Sequence, residues 1–420
     1  MDTDDSDLIE EITQHRVLHW NYRGYERLPF QLKTFGNHVQ EIYMKMNNLK
    51  SLPNWIGDLK LVTNLYVSQN QLEFLPEEIR EMKSLEVLDV SCNSLSELPT
   101  SIGLLPKLKT LLVLNNKLTS FPREMYLLPD IKTINAASNL IVSIEEICLC
   151  HTLEELHLDN NLIVSLPRKI VYMPKLKSLT LCRNNLLYLP TLPFITDIDI
   201  SFDYNPSLNY IPYPLGCQIT ENSLYSINGE WDLRSFGCFE LGWEPTALPN
   251  KKLQLPTGEK LVMPLDLKVI KNASSLPSPP SLQELSLGSL YLSIYSHDLH
   301  LFRKKDKHSC HMNRRFYMHQ AYLKTVANAL NRDLKKLLLQ GPVSICIGHR
   351  CGTPIFSQCV AWVIPKHIAY RLRSSKEEVL STILFCSHRC SNSFKEYIMS
   401  VNPESWEVDM LNSQKQWNLF

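Results

Sequence analysis

Apolar residues recur through the first half of the chain in a fixed order, with polar residues between them, and the unit L-x-x-L-x-L-x-x-N-x-L can be laid over that half repeatedly. Asparagines mark the register at Asn47, Asn70, Asn93, Asn116 and Asn139, 23 residues apart. They continue at Asn161 after 22 and Asn184 after 23, which makes seven clear repeats, with a degenerate last turn near Asn205. Each unit carries an alternating apolar triplet, such as Val62, Leu65 and Val67 or Leu176, Leu179 and Leu181. Alternation of this kind predicts a short strand with one buried face, and stacking the units predicts one parallel sheet. An asparagine turned inward at each strand end is expected to satisfy backbone groups of the neighbouring turn, which would otherwise be buried without partners.

Six residues after most of these asparagines stands a proline preceded by Leu or Phe: Pro53, Pro76, Pro99, Pro122, Pro167 and Pro190. Proline fixes φ and cannot donate to a ladder, so the return limb is expected to be extended and then briefly helical. The fifth repeat has Ile144-Glu145 at this point and a shorter spacing, and with Cys148 and Cys150 it predicts a locally irregular limb. Residues 20–29 read as an incomplete first unit, with Arg23 in the asparagine position, as a capping turn would be. On this register the chain resembles the short intracellular leucine-rich-repeat class. The resemblance implies an α/β solenoid over residues 17–212, with its parallel sheet on the concave face, following an acidic N-terminal tail at 1–16.

Residues flanking the inward triplets should form the concave protein-binding face. Its central column is read as Tyr43, Tyr66, Asp89, Leu112, Asn135, His157, Thr180 and Asp199, with Met46, Leu114 and Asp159 beside it. Tyrosines and Met46 at one end and Leu112 with Leu114 in the middle supply interface anchors. Glu154, Glu155, Asp159 and Asp199 make the other end acidic. No nucleophile falls beside a base and an orienting group in this register, so His157 is expected to be a contact residue and the catalytic set to be empty.

Beyond Asn205-Pro206 the period dissolves. Residues 213–271 read as a cap and connecting region, and 272–280, Asn-Ala-Ser-Ser-Leu-Pro-Ser-Pro-Pro, as a linker. A helix should start at Ser281, with Ser281 and Glu284 forming a capping box, and Leu282, Ser286 and Leu290 lie four apart on one of its faces. Such a face serves equally as an ordinary core contact or as a groove-binding one. A second amphipathic helix is expected over 320–339 (Leu323, Val326, Leu330, Leu334, Leu337, Leu338), after a basic insertion at 303–315, so that 281–340 forms one helical region. Finally Cys346 with Cys351 and Cys386 with Cys390 form two pairs separated by strand formers, which predicts a structural Zn²⁺ module over 341–400, followed by a tail at 401–420. The loops within the pairs are longer than the commonest knuckle, so His349 or His388 could replace one thiolate, while Cys359 is expected in the core.

Taken in order, the repeats, the Leu282-Gln283-Glu284-Leu285 helix, the second leucine helix and the paired cysteines resemble the leucine-rich-repeat substrate receptors of elongin–cullin ubiquitin ligases. The resemblance implies an elongin-binding box at Leu282, Ser286 and Leu290, recruiting elongins B and C and a cullin. Where those relatives open the second helix with Leu-Pro or Ile-Pro, this chain has Leu330-Asn331, so the choice of cullin does not carry over.

Composition narrows the alternatives. The chain has 420 residues, is 44% hydrophobic, and holds 43 basic and 43 acidic side chains, so no global field draws it to nucleic acid or to an acidic membrane. The acidic start lacks the features of a signal peptide, and no stretch reaches the roughly 18 apolar residues of a membrane span. The expected compartment is the cytosol, with the nucleus as the second possibility, where the 12 cysteines stay reduced. The expected function is non-enzymatic protein binding, as a ligase receptor. The alternative is an intracellular signalling scaffold for a GTPase or phosphatase with a purely structural C-terminal module. A cysteine enzyme acting through Cys386 is the third reading.

Overall fold

The computed structural model describes residues 2–192, 194–196, 198–212, 215, 246–248, 252–254, 260–264, 267–269, 281, 283–291, 330, 332–340, 342–346, 351, 353–366 and 379–400. They fall into two compact units, the first comprising residues 1–167, 173–185 and 198–205.

In the first unit the repeats build one parallel sheet of nine three-residue strands in chain order: β1 (Val17–His19), β2 (Glu41–Tyr43), β3 (Asn64–Tyr66), β4 (Val87–Asp89), β5 (Thr110–Leu112), β6 (Thr133–Asn135), β7 (Glu155–His157), β8 (Ser178–Thr180) and β9 (Asp199–Ser201). The middle residue of each strand is buried, from Leu18 and Ile42 to Leu179 and Ile200, and so is the residue after the strand, as at Met44, Val67, Val90 and Val113. The inward triplets are therefore the core. The residue before each asparagine from Met46 to Tyr204, and Tyr22 before Arg23, is left-handed, at φ between 54 and 61°, and none of these nine is glycine. That conformation costs on the order of 1–2 kcal/mol per residue, and the asparagine that follows offsets it.

Each asparagine reaches back one repeat. The Asn70 Oδ1 accepts from Leu49 N at 3.0 Å and its Nδ2 donates to Met44 O at 2.9 Å; Asn93, Asn116, Asn139, Asn161 and Asn184 repeat the pattern. Pro53, Pro76, Pro99 and Pro122 are extended residues that immediately precede 3₁₀ turns, as their fixed φ favours. The fifth repeat, which lacks the proline, has a turn of only three residues, Ile147–Leu149. Its buried thiols donate to backbone, Cys148 to Ile144 O and Cys150 to Met125 O, and burial pushes Cys150 up to about 12.

The acidic stretch read as a tail contains helix α1 (Asp2–Gln14), whose Ile12 is fully buried. Arg23, in the asparagine position of the first unit, turns outward and holds Glu11 of α1 through two hydrogen bonds at 2.7 and 2.8 Å, which lowers the Glu11 carboxyl below its usual range. A short helix α2 (Gln31–Phe35) completes that turn.

The second unit holds residues 168–172, 186–197 and 206–420. Tyr210–Pro212, which the sequence reading gave to the solenoid, form β10 and pair in parallel with β18 (Val379–Phe385). A four-stranded sheet results, ordered β10, β18, β17 (Gln358–Lys366) and β14 (Lys268–Val269). Residues read as a connecting region form the antiparallel strands β11 (Thr246–Leu248), β12 (Lys252–Gln254) and β13 (Lys260–Val262). A hairpin of β15 (Ser344–Ile345) and β16 (Pro354–Ile355) lies with helices α3 (283–291), α4 (Arg332–Gln340) and α5 (His388–Ser400). Thr191 Oγ1 donates to Val343 O, and Ser344 Oγ donates to Thr191 O at 3.2 Å. The linker at 272–280, the basic segment at 303–315, His349 and the tail at 401–420 lie outside the described residues, as do Leu323 and Val326. Among the described residues, no helix is long and apolar enough to cross a membrane.

Candidate protein-binding face and metal centre

The open face of the nine-stranded sheet is formed by the first and third residues of each strand. Its central column runs His19, Tyr43, Tyr66, Asp89, Leu112, Asn135, His157, Thr180 and Ser201 in continuous register. This corrects the sequence reading at one end. Asp199 pairs with Ser178 and lies in the flanking column, while Ser201 continues the central one. The last spacing, from Asn184 to Asn205, is 21 residues, and counting back four from each asparagine gives Ser201. The same count from Arg23 gives His19, which the sequence reading did not include.

At one end of the column three rings stack: His19 on Tyr43 with centroids 5.0 Å apart, and Tyr43 on Tyr66 at 4.7 Å. The Tyr43 hydroxyl donates to Glu41 at 2.7 Å, and that bond, with burial, pushes it up to about 12. Met46 is exposed in a left-handed turn, and Leu114 and Asn135 are half-buried on the face. At the other end Thr180 Oγ1 donates to Asp159 at 2.5 Å and also lies 3.4 Å from His157 Nδ1. Asp159 further accepts from Cys182 N at 2.7 Å. A hydroxyl committed to the carboxylate, which does not itself orient the imidazole, is a structural network and not a nucleophile with its base.

The four paired cysteines come together. Cys346 and Cys351 lie on the loop of the β15–β16 hairpin, closed by Cys346 N on Thr353 O at 2.8 Å. Cys386 follows β18, and Cys390 lies in the first turn of α5, its N–H capped by Ser387 Oγ at 3.3 Å. The β17–β18 ladder, which pairs Val360 with Phe385, returns the chain to the first pair. All four sulfurs lie within 4.8 Å of one another, with Cys351 to Cys386 at 3.7 Å and Cys386 to Cys390 at 3.6 Å. Four such groups could hold a metal ion. Hydrogen bonds within the set raise the Cys346 thiol and lower Cys351, and Cys390 falls to about 7, chiefly through Cys346. Among the described residues, buried His388 has no partner at Nε2 and is not part of the cluster. Cys359 is buried in β17, as expected, and burial raises its thiol.

The residues of the sequence-predicted box are placed unequally. Ser286 is exposed on α3, Leu290 is half-buried, and Leu282 lies outside the described residues. The other face of α3, with Glu284, Leu287 and Tyr291, is buried, and Leu287 and Tyr291 pack with Leu338 of α4 and with Phe356. Only half of the capping box forms. Ser281 Oγ receives Glu284 N at 3.2 Å, but the Glu284 carboxylate turns to Phe356 N at 2.5 Å and to Ser357 N and Oγ at 2.9 and 2.8 Å. Gln358 Oε1 takes the Ser281 N–H instead, at 3.1 Å. Sequence spacing hid this role because the partners are more than 70 residues away. Glu284→Ala should leave two backbone donors without acceptors, at about 1–3 kcal/mol each, and speed amide hydrogen exchange at Phe356 and Ser357. Unchanged exchange there would show that water replaces the clasp.

Comparison with known proteins places the Leucine Rich Repeat family model on residues 84–105, the segment that contains β4, Asn93 and Pro99. A search of curated proteins gave no match. Among solved structures, the chain is similar to a leucine-rich-repeat protein of Leptospira interrogans, at 27% identity over 51% of this chain and 60% of that one, with a TM-score of 0.45. It is also similar to the plant peptide hormone receptor RGFR1, solved in complex with RGF2, at 25% identity over 50% of this chain and 35% of that one, TM-score 0.42. YopM of Yersinia enterocolitica matches at 26% identity over 47% and 40%, TM-score 0.37. The chain thus spans less than two thirds of each of these proteins. With its asparagine register and its nine parallel strands in one sheet, the first unit is a leucine-rich-repeat solenoid, a fold that supports protein–protein interaction.

Proposed function

We propose that this chain is a non-enzymatic adaptor. The open face of its sheet holds a protein, and its C-terminal unit joins an elongin B/C–cullin ubiquitin-ligase core through Leu282, Ser286 and Leu290. The observation that carries the second half of this reading is the division of α3. One face is fastened by Glu284, Leu287 and Tyr291, while Leu285 and Ser286 stay exposed on the other. Fixing a helix from behind leaves its front available for a groove on a partner. The work done is proximity, with a captured protein held beside an enzyme that another subunit brings.

A tetrahedral site with Zn–S bonds of about 2.3 Å has sulfurs about 3.8 Å apart, and the 3.6 and 3.7 Å separations fit a Zn²⁺ with four thiolate ligands. Such a site has no open coordination position, so its role is structural. Cys346 and Cys351 would tie the hairpin to the start of α5, where the helix dipole favours thiolates at Cys386 and Cys390.

A second reading, a signalling scaffold binding a GTPase or phosphatase, is favoured by one observation. Leu290 packs with Leu330, Leu334 and Leu337 around the core of its own unit, as an ordinary core helix would. A pull-down from cell extract decides between the two. The wild-type chain should recover elongin C and a cullin, and Leu282→Asp should lose both. Absence of elongin C from the wild-type sample would leave the scaffold as the working reading.

A further inference from the structure

The open face differs in charge from the chain as a whole. In its two strand columns and the column that follows them stand Glu41, Asp89, Glu155, Asp159, Asp199 and Asp203 with one lysine, Lys45, while the column before them carries Arg16, Lys109, Lys132 and Lys177 beside Glu86 and Glu154, with Lys109 and Lys177 paired to those two glutamates. Most of this charge is spread out or engaged. Glu41 accepts from Tyr43, and Asp159 from Thr180 and Cys182. Asp89 is set differently. It is half-buried and lies in register between Tyr66 on one side and Leu112 on the other. Its Oδ1 takes Ser91 N at 3.0 Å, which fixes the carboxylate, and among the described residues it has no cationic partner.

Neighbouring strands are about 4.8 Å apart, so Tyr66 and Leu112 are separated by roughly 10 Å, with the shorter Asp89 side chain between them. Tyr66 is covered on one face by the ring of Tyr43 and turns the other toward this gap. The result is a notch with an aromatic wall, an aliphatic wall and an anionic floor.

We propose that this notch takes an arginine side chain from a basic segment of the partner protein. The guanidinium plane stacks on the uncovered face of Tyr66, its N–H groups meet the Asp89 carboxylate, and its aliphatic stem lies along Leu112. Lysine fits less well, because its ammonium is a compact point charge that cannot stack and donate to a carboxylate in one plane. The remaining carboxylates of the face raise the local concentration of a basic segment and steer it. This inference rests on the reading that the open face holds a protein, and it specifies what that protein presents.

The test uses the full chain and three fluorescein-labelled glycine–serine peptides that carry arginine, lysine or citrulline at the same positions, with binding followed by fluorescence anisotropy. The arginine peptide is expected to bind best and the citrulline peptide not to bind. Asp89→Asn should weaken the arginine peptide about tenfold, as expected for loss of a charge-assisted hydrogen bond, and Tyr66→Leu severalfold. Asp199→Asn, on the same face at the far end, should change it less than about twofold. Equal weakening by Asp89→Asn and Asp199→Asn, equal binding of the lysine peptide, or no binding of any peptide would overturn the notch. Running Asp89→Asn in the pull-down above separates this failure from that of the wider reading. Cellular proteins retained equally by wild type and variant would overturn the arginine notch while leaving protein capture by the sheet standing.

Discussion

Zinc should accompany the purified chain at one ion per molecule and be lost when Cys386 is replaced by serine. Cys386 lies 3.7 Å from Cys351 and 3.6 Å from Cys390, so it joins the hairpin pair to the helix pair. Structural zinc contributes on the order of 10–16 kcal/mol in small peptide modules at neutral pH, and much of the order in such a module depends on it. In Cys386→Ser, or after treatment with a strong chelator, the β15–β16 hairpin and the first turn of α5 should lose protection from hydrogen exchange. Because Glu284 is anchored on Phe356 and Ser357, just past that hairpin, α3 should lose protection with them. The pH dependence has a definite sign. The ligands bind as thiolates, so stability supplied by the metal is present at neutral pH and is lost as acid protonates them. Metal-free protein with unchanged exchange in these segments would overturn the site.

Asn116→Ala should cost about 2–5 kcal/mol, a large share of the roughly 5–15 kcal/mol that holds an ordinary domain. Asn116 is 8% exposed; its Oδ1 accepts Leu95 N at 3.0 Å, and its Nδ2 donates to Val90 O at 3.0 Å and Val113 O at 3.1 Å. Alanine removes the acceptor for one buried donor and the donor for two carbonyls, and leaves the left-handed Asn115 before it without that compensation. Urea unfolding should show a lower midpoint, while Leu114→Ser, two residues away on the open face, should change it far less. A shift under about 0.5 kcal/mol for Asn116→Ala would mean that water enters the turn.

The repeat register was legible because two periods coincide along the chain, the alternation within each strand and the 23-residue return to asparagine. Where the second period slips, the column is harder to follow: the spacing shortens to 21 residues before Asn205, and the central column falls on Ser201, four before that asparagine, with Asp199 in the flanking one. The cysteine cluster was legible as two pairs, yet their approach depends on the β17–β18 ladder bringing Phe385 back to Val360. Glu284 shows the limit most directly. Its spacing from Ser281 is that of a capping box, and Ser281 does cap Glu284 N, but two backbone N–H groups and a hydroxyl at residues 356 and 357 offer the carboxylate more than the single Ser281 N–H would. The rings of His19, Tyr43 and Tyr66 stack for a related reason, since parallel register repeats side chains at one strand spacing, and sequence shows the residues without their overlap.

The asparagines also give the solenoid a direction. Every one of them serves the repeat before its own: Asn70 completes Leu49, Asn93 completes Leu72, Asn116 completes Leu95, and so on to Asn184, which completes Ile163. On the ribosome, each turn therefore emerges with a backbone donor still waiting, and it closes only when the next asparagine leaves the exit tunnel. Folding during synthesis should trail the growing chain by about one repeat.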